Sequence, residues 1–246
     1  MSDIDVCDRV RDAQRLADSR DIPQFVGFLS PLEAAAAEPL LKGVRHRFFG
    51  GFGSAERTFL GIFPDWVDRQ NEQSLFPITP ITFRFKPEFP LSHRDFLGAV
   101  MALGVTRRSV GDILVKKGAA VLFAAAAPAK LILSEVTKVG SVGVLLGEGL
   151  PEDFHFEKDF EDGSATVQSL RLDSVVAQLS NSSRNKAAEL ISDGLVSVNS
   201  VARQKGTAVV REGDILSVRG HGKFLIESAA DHSKKGRIIL RWKKYI

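Results

Sequence analysis

The chain has 246 residues, of which 44% are hydrophobic and 26% charged, with a formal net charge of +3, which is typical of a globular protein with one to three domains. Its single cysteine, Cys7, excludes an internal disulfide bond and a cysteine-based zinc site. No apolar run approaches the roughly 18 to 20 residues that cross a bilayer, and the mixed charges near the N-terminus are wrong for a signal peptide, so we expect a cytoplasmic protein.

The first segment, residues 1–72, combines helical and strand-like patterns. Apolar residues recur at helical spacing from Val6 to Ala17 and predict an amphipathic first helix. A second helix is expected to begin at Pro31, because proline is tolerated at the first helical position. A strand is predicted over 57–63, and the polar stretch after it favours a domain boundary near residue 72. We therefore predict an N-terminal α+β domain.

The second segment, residues 73–165, follows the order strand, helix, strand, strand, helix, strand. The strands are predicted over 81–86, 111–117, 119–125 and 142–146. The helices are predicted over 92–104 and 128–140, and Ser92 with Asp95 forms a variant of the capping box at the first of them. This order is that of a ferredoxin-like βαββαβ domain, a fold that RNA-recognition domains share with proteins of many other functions.

The third segment, residues 166–246, is predicted to form two short helices packed on a small curled sheet. An apolar stripe from Leu172 to Leu179 predicts the first helix. Ser183 is the expected N-cap of the second helix, and Gly194 is expected to end it in the left-handed conformation. Strands are predicted over 195–199, 209–210, 215–219, 223–227 and 237–243.

Positive charge is concentrated in this third segment. From residue 165 onward the chain has 14 lysines and arginines against 7 acidic residues, whereas residues 1–164 have 19 against 23. Charge segregated in this way indicates that a polyanion contacts the C-terminal part, although a solvated basic face explains the count equally well.

Three cations are predicted at the starts of the two helices. Arg171 precedes the first helix, and Arg184 and Lys186 occupy the first turn of the second. Cations are unfavourable at a helix N-terminus, whereas a phosphate is favourable there and would compensate them. The alternative is that Arg184 forms an ion pair with Asp173 or Asp193 within the protein.

Ten further basic residues of the segment are predicted on the sheet and at its ends. They are Arg203, Lys205, Arg219, Lys223, Lys234, Lys235, Arg237, Arg241, Lys243 and Lys244. The glycine-rich turn at 219–223 stands out among them, because its glycines allow a ligand to approach the backbone and two cations flank it. A second candidate RNA-binding surface lies in the central domain, at His93, Arg94, Arg107 and Arg108.

Four motifs of the third segment resemble, in order, the S-four domain, an RNA-binding module named after a small-subunit ribosomal protein. They are SLRLD (169–173), SRNKA (183–187), LISDGLVSVN (190–199) and EGDI (212–215). Further stretches resemble the YlmH family of bacterial RNA-binding proteins in particular. They are 217–224 and 234–237 within the segment, and 49–57, 91–99 and 111–114 outside it, so the resemblance covers most of the chain.

The resemblance implies a three-part architecture with a central RNA-binding domain and a terminal S-four domain. It also implies association with the large ribosomal subunit that carries peptidyl-tRNA, in the rescue of stalled nascent chains. The positions expected to contact ribosomal RNA match Arg171, Ser183, Arg184, Lys186 and the 219–223 turn. His221 departs from the family pattern, in which a basic residue is more usual, and it could contribute a charge when protonated beside a phosphate.

These observations together predict a monomeric RNA-binding protein without a catalytic site, metal or cofactor. The five histidines show no metal-ligand spacing. One alternative is an RNA-modifying enzyme whose catalytic part is residues 1–160 and whose S-four domain is a targeting module, which requires ionisable groups that converge in a pocket. Another is a scaffold whose first two segments bind a protein.

Overall fold

A computed structural model of the chain describes residues 3–151, 160–199, 201–229 and 236–245. The chain divides into two compact units, Met1–Phe156 and Glu157–Ile246, called here the N-terminal and C-terminal units. Both of the first two predicted domains fall largely within the N-terminal unit, and their division at residue 72 stays a prediction. In the described ranges, none of the helices combines the length and apolarity that crossing a bilayer requires.

The first half of the N-terminal unit packs two helices on a three-stranded antiparallel sheet. Its elements are α1 (Asp3–Arg20), β1 (Gln24–Leu29), α2 (Pro31–Ala37), β2 (His46–Phe49) and β3 (Thr58–Ile62). The strand order is β1-β3-β2, so β2 is an edge strand. The predicted helix start at Pro31 is present: the Ser30 backbone N–H donates to the Glu33 carboxylate (2.7 Å), and the Ser30 hydroxyl accepts from the Glu33 N–H (3.3 Å).

The second half of the N-terminal unit has the predicted ferredoxin-like topology. Its elements are β4 (Ile78–Arg84), α3 (His93–Met101), β5 (Val110–Lys116), β6 (Ala119–Ala125), α4 (Ala126–Glu135), β7 (Lys138–Val139), β8 (Val142–Gly143) and β9 (Leu145–Glu148). The main sheet has the order β5-β6-β4-β9 with antiparallel neighbours. The predicted capping interaction is present at α3, where the Ser92 N–H donates to Asp95 (2.7 Å).

The region after α4 differs from the prediction. The helix ends at Glu135 instead of continuing to Gly140, and β7 and β8 form a small hairpin in which Val139 pairs with Val142. The β-branched residues that follow α4 favour extended backbone over helix. The edge strand of the main sheet therefore begins at Leu145, later than the predicted 142–146 strand.

The two faces of the central sheet bury different cores. On one face, α3 and α4 cover residues such as Ile81, Phe83 and Leu122. On the opposite face, Val121 and Phe123 pack against aromatic side chains of the first half of the unit. That aromatic cluster contains Phe28, Phe59, Phe63, Val67, Phe76, Val121 and Phe123, all of which are buried.

The C-terminal unit packs two short helices on a six-stranded sheet. Its elements are β10 (Phe160–Val167), α5 (Leu172–Leu179), α6 (Arg184–Ser192), β11 (Val196–Val198), β12 (Val201–Ala202), β13 (Ile215–Val218), β14 (Gly222–Ser228) and β15 (Ile238–Tyr245). The strand order is β10-β15-β14-β13-β11-β12. The helices bury Leu172, Val176 and Ile191 against the sheet, in the two-helix arrangement predicted from the sequence.

This sheet differs from the prediction in three features, of which the first is the short strand β12 beside β11. Strand β10 pairs with β15 along its whole length, so the compact unit begins before the predicted boundary at 166. Its polar sequence lacks a strand pattern, and Gly163 within it leaves room for the Trp242 ring, which a Cβ atom would approach to 2.4 Å. The predicted strand at 209–210 is instead a single bridge between Arg171 and Val209.

Candidate nucleic-acid interface

The first residues of α5 and α6 are set by local sequence features. Arg171 is the N-cap of α5, and Ser183 is the N-cap of α6, where its hydroxyl accepts a hydrogen bond from the Lys186 N–H (3.2 Å). The predicted left-handed Gly194 follows α6, with φ = 71°. Local capping thus determines the positions of Arg171, Arg184 and Lys186 relative to the starts of the two helices.

A single carboxylate, that of Asp173, joins two of the predicted RNA-binding arginines. Arg171 donates to it through Nε (3.3 Å) and Nη2 (2.8 Å), and Arg184 donates through Nη2 (3.0 Å). The hydrogen bonds from Arg171, with a smaller contribution from Arg184, hold the pKa of Asp173 below its ordinary value against the opposing effect of partial burial. The internal ion pair considered for Arg184 is therefore present, with Asp173 as the partner.

The paired arginines still present positive charge to solvent. The Arg171 and Arg184 side chains are 43% and 51% exposed, whereas that of Asp173 is 14% exposed. Two guanidinium groups share one carboxylate, so the cluster keeps a net charge of +1. Arg184 uses only Nη2 in this contact, and its other N–H groups remain able to bind a phosphate.

Lys186 has a weaker internal partner. Its ammonium group lies 2.9 Å from the Glu189 carboxylate, one turn further along α6, and both side chains are 62% exposed. The hydrogen bond to Glu189 raises the pKa of Lys186, so the side chain is cationic at neutral pH. An exposed pair of this kind contributes little to stability and is readily exchanged for another anion.

The segment after β12 links the helix starts to the sheet. The Asp173 N–H donates to the Gly206 carbonyl (3.0 Å), and the Arg203 N–H donates to the Val196 carbonyl (3.0 Å). These bonds place the exposed residues Arg203 and Lys205 between the start of α5 and the start of β11.

The predicted glycine turn connects β13 with β14. Gly220 and Gly222 adopt φ values of 84° and 124°, which residues other than glycine rarely adopt. The Arg219 N–H donates to the Leu195 carbonyl (2.9 Å), which brings the turn beside the end of α6. A concavity of about 500 Å³ lies between 194–197 and 217–223, bordered by Arg219 and Lys223.

The predicted cations do not all lie together. Arg171 and Arg184 meet at Asp173, and backbone hydrogen bonds connect the start of α5, through the 203–206 segment, to Leu195 beside Arg219. Arg237 immediately precedes β15, whereas the turn lies beside the other end of that strand, where Phe224 pairs with Lys244. The eight residues of β15 separate the two positions by about 25 Å. Lys234 and Lys235 lie outside the described residues.

In the predicted second surface of the central domain, two of the three arginine side chains make contacts within the protein. Arg107 donates to the carbonyls of Val110 (2.5 Å) and Gly111 (3.2 Å), and Arg108 pairs with Asp5. Burial, and then the charge of Arg107, lowers the pKa of His93, which disfavours its cationic form. Arg94 is exposed on α3.

The central sheet face that RNA-recognition domains use is covered. Those domains stack bases on aromatic side chains of the sheet, but here Phe123 on β6 has no exposed surface and stacks on Phe52, with the ring centroids 5.0 Å apart. Gly51 allows this contact, because a Cβ atom there would lie 2.3 Å from the Phe123 ring. The 49–57 motif therefore closes this part of the sheet.

A basic concavity that the sequence did not indicate lies beside β2. It is lined by Gly43, Val44, Arg45, His46, Arg47, Arg69 and Glu72. Glu72 is 27 residues from Arg45, so no local spacing could have revealed their contact. Across the described ranges, no group of three or more His, Cys, Asp or Glu side chains is arranged to hold a metal ion.

Comparison with known proteins gives matches to both predicted RNA-binding regions. The family model described as "Putative RNA-binding domain in YlmH" matches residues 72–151, and the "S4 domain" model matches residues 170–216. The chain is 31% identical over 234 residues to "Ribosome-associated protein quality control protein P2" of Bacillus subtilis (strain 168), covering 94% of this chain and 90% of that protein. It is also similar to the solved structure of "Cell division protein ylmH from Streptococcus pneumoniae", with 26% identity, a TM-score of 0.52, and coverage of 60% of this chain and 91% of that one.

Proposed function

Because the chain belongs to the YlmH family of RNA-binding proteins, we propose that it binds structured ribosomal or transfer RNA through phosphate and shape contacts and has no catalytic step of its own. The observation that carries this proposal is the half-exposed pair of Arg171 and Arg184 around Asp173, which backbone hydrogen bonds connect to the segment with Arg203 and Lys205 and to the glycine turn. Duplex RNA hides its bases in a deep, narrow groove, so contacts of this type depend little on base identity.

The site of action that we propose is the large ribosomal subunit that carries peptidyl-tRNA, in the cytoplasm, during rescue of stalled nascent chains. The support is the relative named for ribosome-associated quality control, which aligns over nearly the whole chain. The protein would act as a monomer, and positioning of the RNA would be its contribution.

The test is co-sedimentation of the full chain with separated large and small ribosomal subunits over a salt series. If about five to seven phosphates are neutralised, affinity falls by orders of magnitude between roughly 50 and 200 mM salt. The variants Arg184→Ala and Lys186→Ala should each bind less tightly and lower the salt slope by about 0.9. Their melting temperatures should stay close to that of the wild type, because both side chains are exposed.

The matched control is Lys130→Ala, which removes one exposed cation from α4 in the N-terminal unit. It should bind like the wild type. If Arg184→Ala bound the large subunit normally but melted much lower, the internal pair with Asp173 would be the main role of this arginine. Loss of subunit preference in the wild type would contradict the proposed site of action.

A further inference from the structure

The basic concavity beside β2 has the charge and size of an anion site. Its volume is about 440 Å³, and its lining includes three arginines against one carboxylate. Asp65 and Asp68, which are close in sequence, lie outside the lining. The concavity therefore has a net charge of +2 without any contribution from His46.

Arg45 and Glu72 form the rigid floor of this concavity. Glu72 is only 6% exposed at its side chain, and its Oε1 accepts a hydrogen bond from Arg45 Nε (3.0 Å) and lies 2.9 Å from Arg45 Nη2. The remaining Arg45 donors bind backbone carbonyls of the 64–67 loop, including that of Asp65 (3.0 Å). Arg45 is thus fully occupied and serves to hold Glu72 and the loop in place.

Arg47 and Arg69 are the side chains that can bind a ligand here. Arg47 reaches the second Glu72 oxygen through Nε (3.0 Å) and is 39% exposed. Throughout the described ranges, its two terminal nitrogens and the whole Arg69 guanidinium lack a protein partner. A guanidinium oriented through Nε presents its terminal N–H groups in the fork that matches a phosphate.

The open edge of β2 adds a backbone donor. The Phe63 N–H donates to the Arg45 carbonyl (3.0 Å), so the neighbouring His46–Ile62 pair is of the non-hydrogen-bonded kind. The His46 N–H therefore points away from β3, towards the unpaired edge of the sheet.

We propose that Arg47 and Arg69, held over the Arg45–Glu72 floor, bind a phosphate group of the RNA backbone and give the N-terminal unit its own RNA contact. This proposal rests on the proposed function, because it assumes that RNA is the polyanion. The covered face of the central sheet supports it, since an aromatic platform for bases is closed in this unit.

The experiment measures binding of the full chain to purified large-subunit ribosomal RNA and to intact large subunits across a salt series. The test variant is Arg47→Ala/Arg69→Ala. Its matched control is Arg11→Ala/Arg15→Ala, which removes two exposed arginines from α1 and changes the net charge equally. We expect the test variant to lower the salt slope by about 1.5 to 2 on both ligands, which corresponds to two lost phosphate contacts, and the control to bind like the wild type.

Three outcomes would overturn the inference or separate it from the proposed function. A wild-type slope for the test variant, with Arg184→Ala still weakened, would overturn the N-terminal contact alone. Weaker binding to subunits with unchanged binding to the naked RNA would mean a ribosomal protein as partner and would also overturn it. If the wild type bound neither the purified RNA nor the intact subunits, the proposed function itself would be contradicted.

A second variant covers the case in which Arg47→Ala/Arg69→Ala lowers the melting temperature by disturbing Glu72. Arg69→Glu changes an exposed side chain outside the Arg45–Glu72 floor, so its melting temperature should match the wild type. It should nevertheless bind RNA more weakly than Arg69→Ala, because it places a negative charge beside the phosphate. Wild-type RNA affinity in Arg69→Glu would overturn the inference.

Discussion

Asp173 shows how one short side chain organises a basic surface. Two guanidinium groups near each other repel, and a carboxylate between them offsets this repulsion and restricts their orientation. The Asp173 side chain is mostly covered, whereas those of Arg171 and Arg184 are about half exposed. The carboxylate therefore lies beneath the two guanidinium groups, and solvent is in contact mainly with positive charge. An internal pair is in this case compatible with RNA binding.

The first prediction concerns the pH dependence of this cluster. The pKa of Asp173 is lower in the folded chain than its ordinary value, so its contribution to stability is complete above the unfolded pKa of about 3.9 and is lost as the pH falls through the lower folded value. Asp173→Asn should therefore reduce the free energy of unfolding by about 1–2 kcal/mol at pH 7. Chemical denaturation at decreasing pH should show this difference shrinking below about pH 4.

The control for this prediction is Asp193→Asn, at the C-cap of α6, where the described residues give no ion pair to the carboxylate. Its free energy of unfolding should stay within about 0.5 kcal/mol of the wild type. A difference between Asp173→Asn and the wild type that persisted unchanged into acid would show that charge pairing is not the source of the effect.

Among the secondary-structure elements, the β13–β14 turn matters most for the proposed interface, because its backbone conformation sets the directions of two cationic side chains. Gly222 combines a φ of 124° with a tight position against Lys244, whose Cε would lie 3.2 Å from an added Cβ. Arg219 and Lys223 lie on either side of this turn in the sequence. Their directions therefore depend on a backbone conformation that only glycine adopts without strain.

The second prediction is that Gly222→Ala destabilises the C-terminal unit by about 1–3 kcal/mol through backbone strain and also weakens RNA binding. Thermal unfolding and RNA titration of the same variant measure the two effects. His221→Ala, in the same exposed turn, should leave the melting temperature nearly unchanged. Wild-type stability of Gly222→Ala would indicate that the turn relaxes at little cost.

At the scale of the whole molecule, the ferredoxin-like domain does not present the face that its fold class suggests. Aromatic residues from β1, β3 and the loops around them cover β5 and β6, and residues on both sides of position 72 share this core. Burial of several phenylalanines stabilises the N-terminal unit strongly. RNA contacts in this unit must then come from its edges and loops.

The third prediction is that Phe123→Ala lowers the free energy of unfolding of the N-terminal unit by about 3–5 kcal/mol and leaves the RNA affinity of the folded protein unchanged. Phe89→Ala, at a phenylalanine that is 41% exposed, is the control and should have a small effect on stability. The reverse result for Phe123→Ala, a normal melting temperature with weaker RNA binding, would show that the sheet face opens to bases.

Features that arise within a few residues can be predicted from the amino-acid sequence alone. The helix starts after Ser30, Ser92 and Ser183, the turn at Gly194 and the βαββαβ order depend on capping, glycine conformation and hydrophobic periodicity, which are local properties. The ordered motifs of the C-terminal segment likewise indicate the family. Local patterns are weakest where the chain is polar, and they therefore do not predict β10.

Contacts between residues distant in sequence depend on the complete fold. Arg184 and Asp173 are 11 residues apart, Arg45 and Glu72 are 27 apart, and Phe123 meets Phe52 across 71 positions. Each contact exists because the fold brings two chain segments together, and the energies of ion pairing and burial depend on that distance and on the exclusion of water. A cation count therefore indicated that the C-terminal unit is basic, whereas the fold decided which cations face solvent and which are held by a carboxylate.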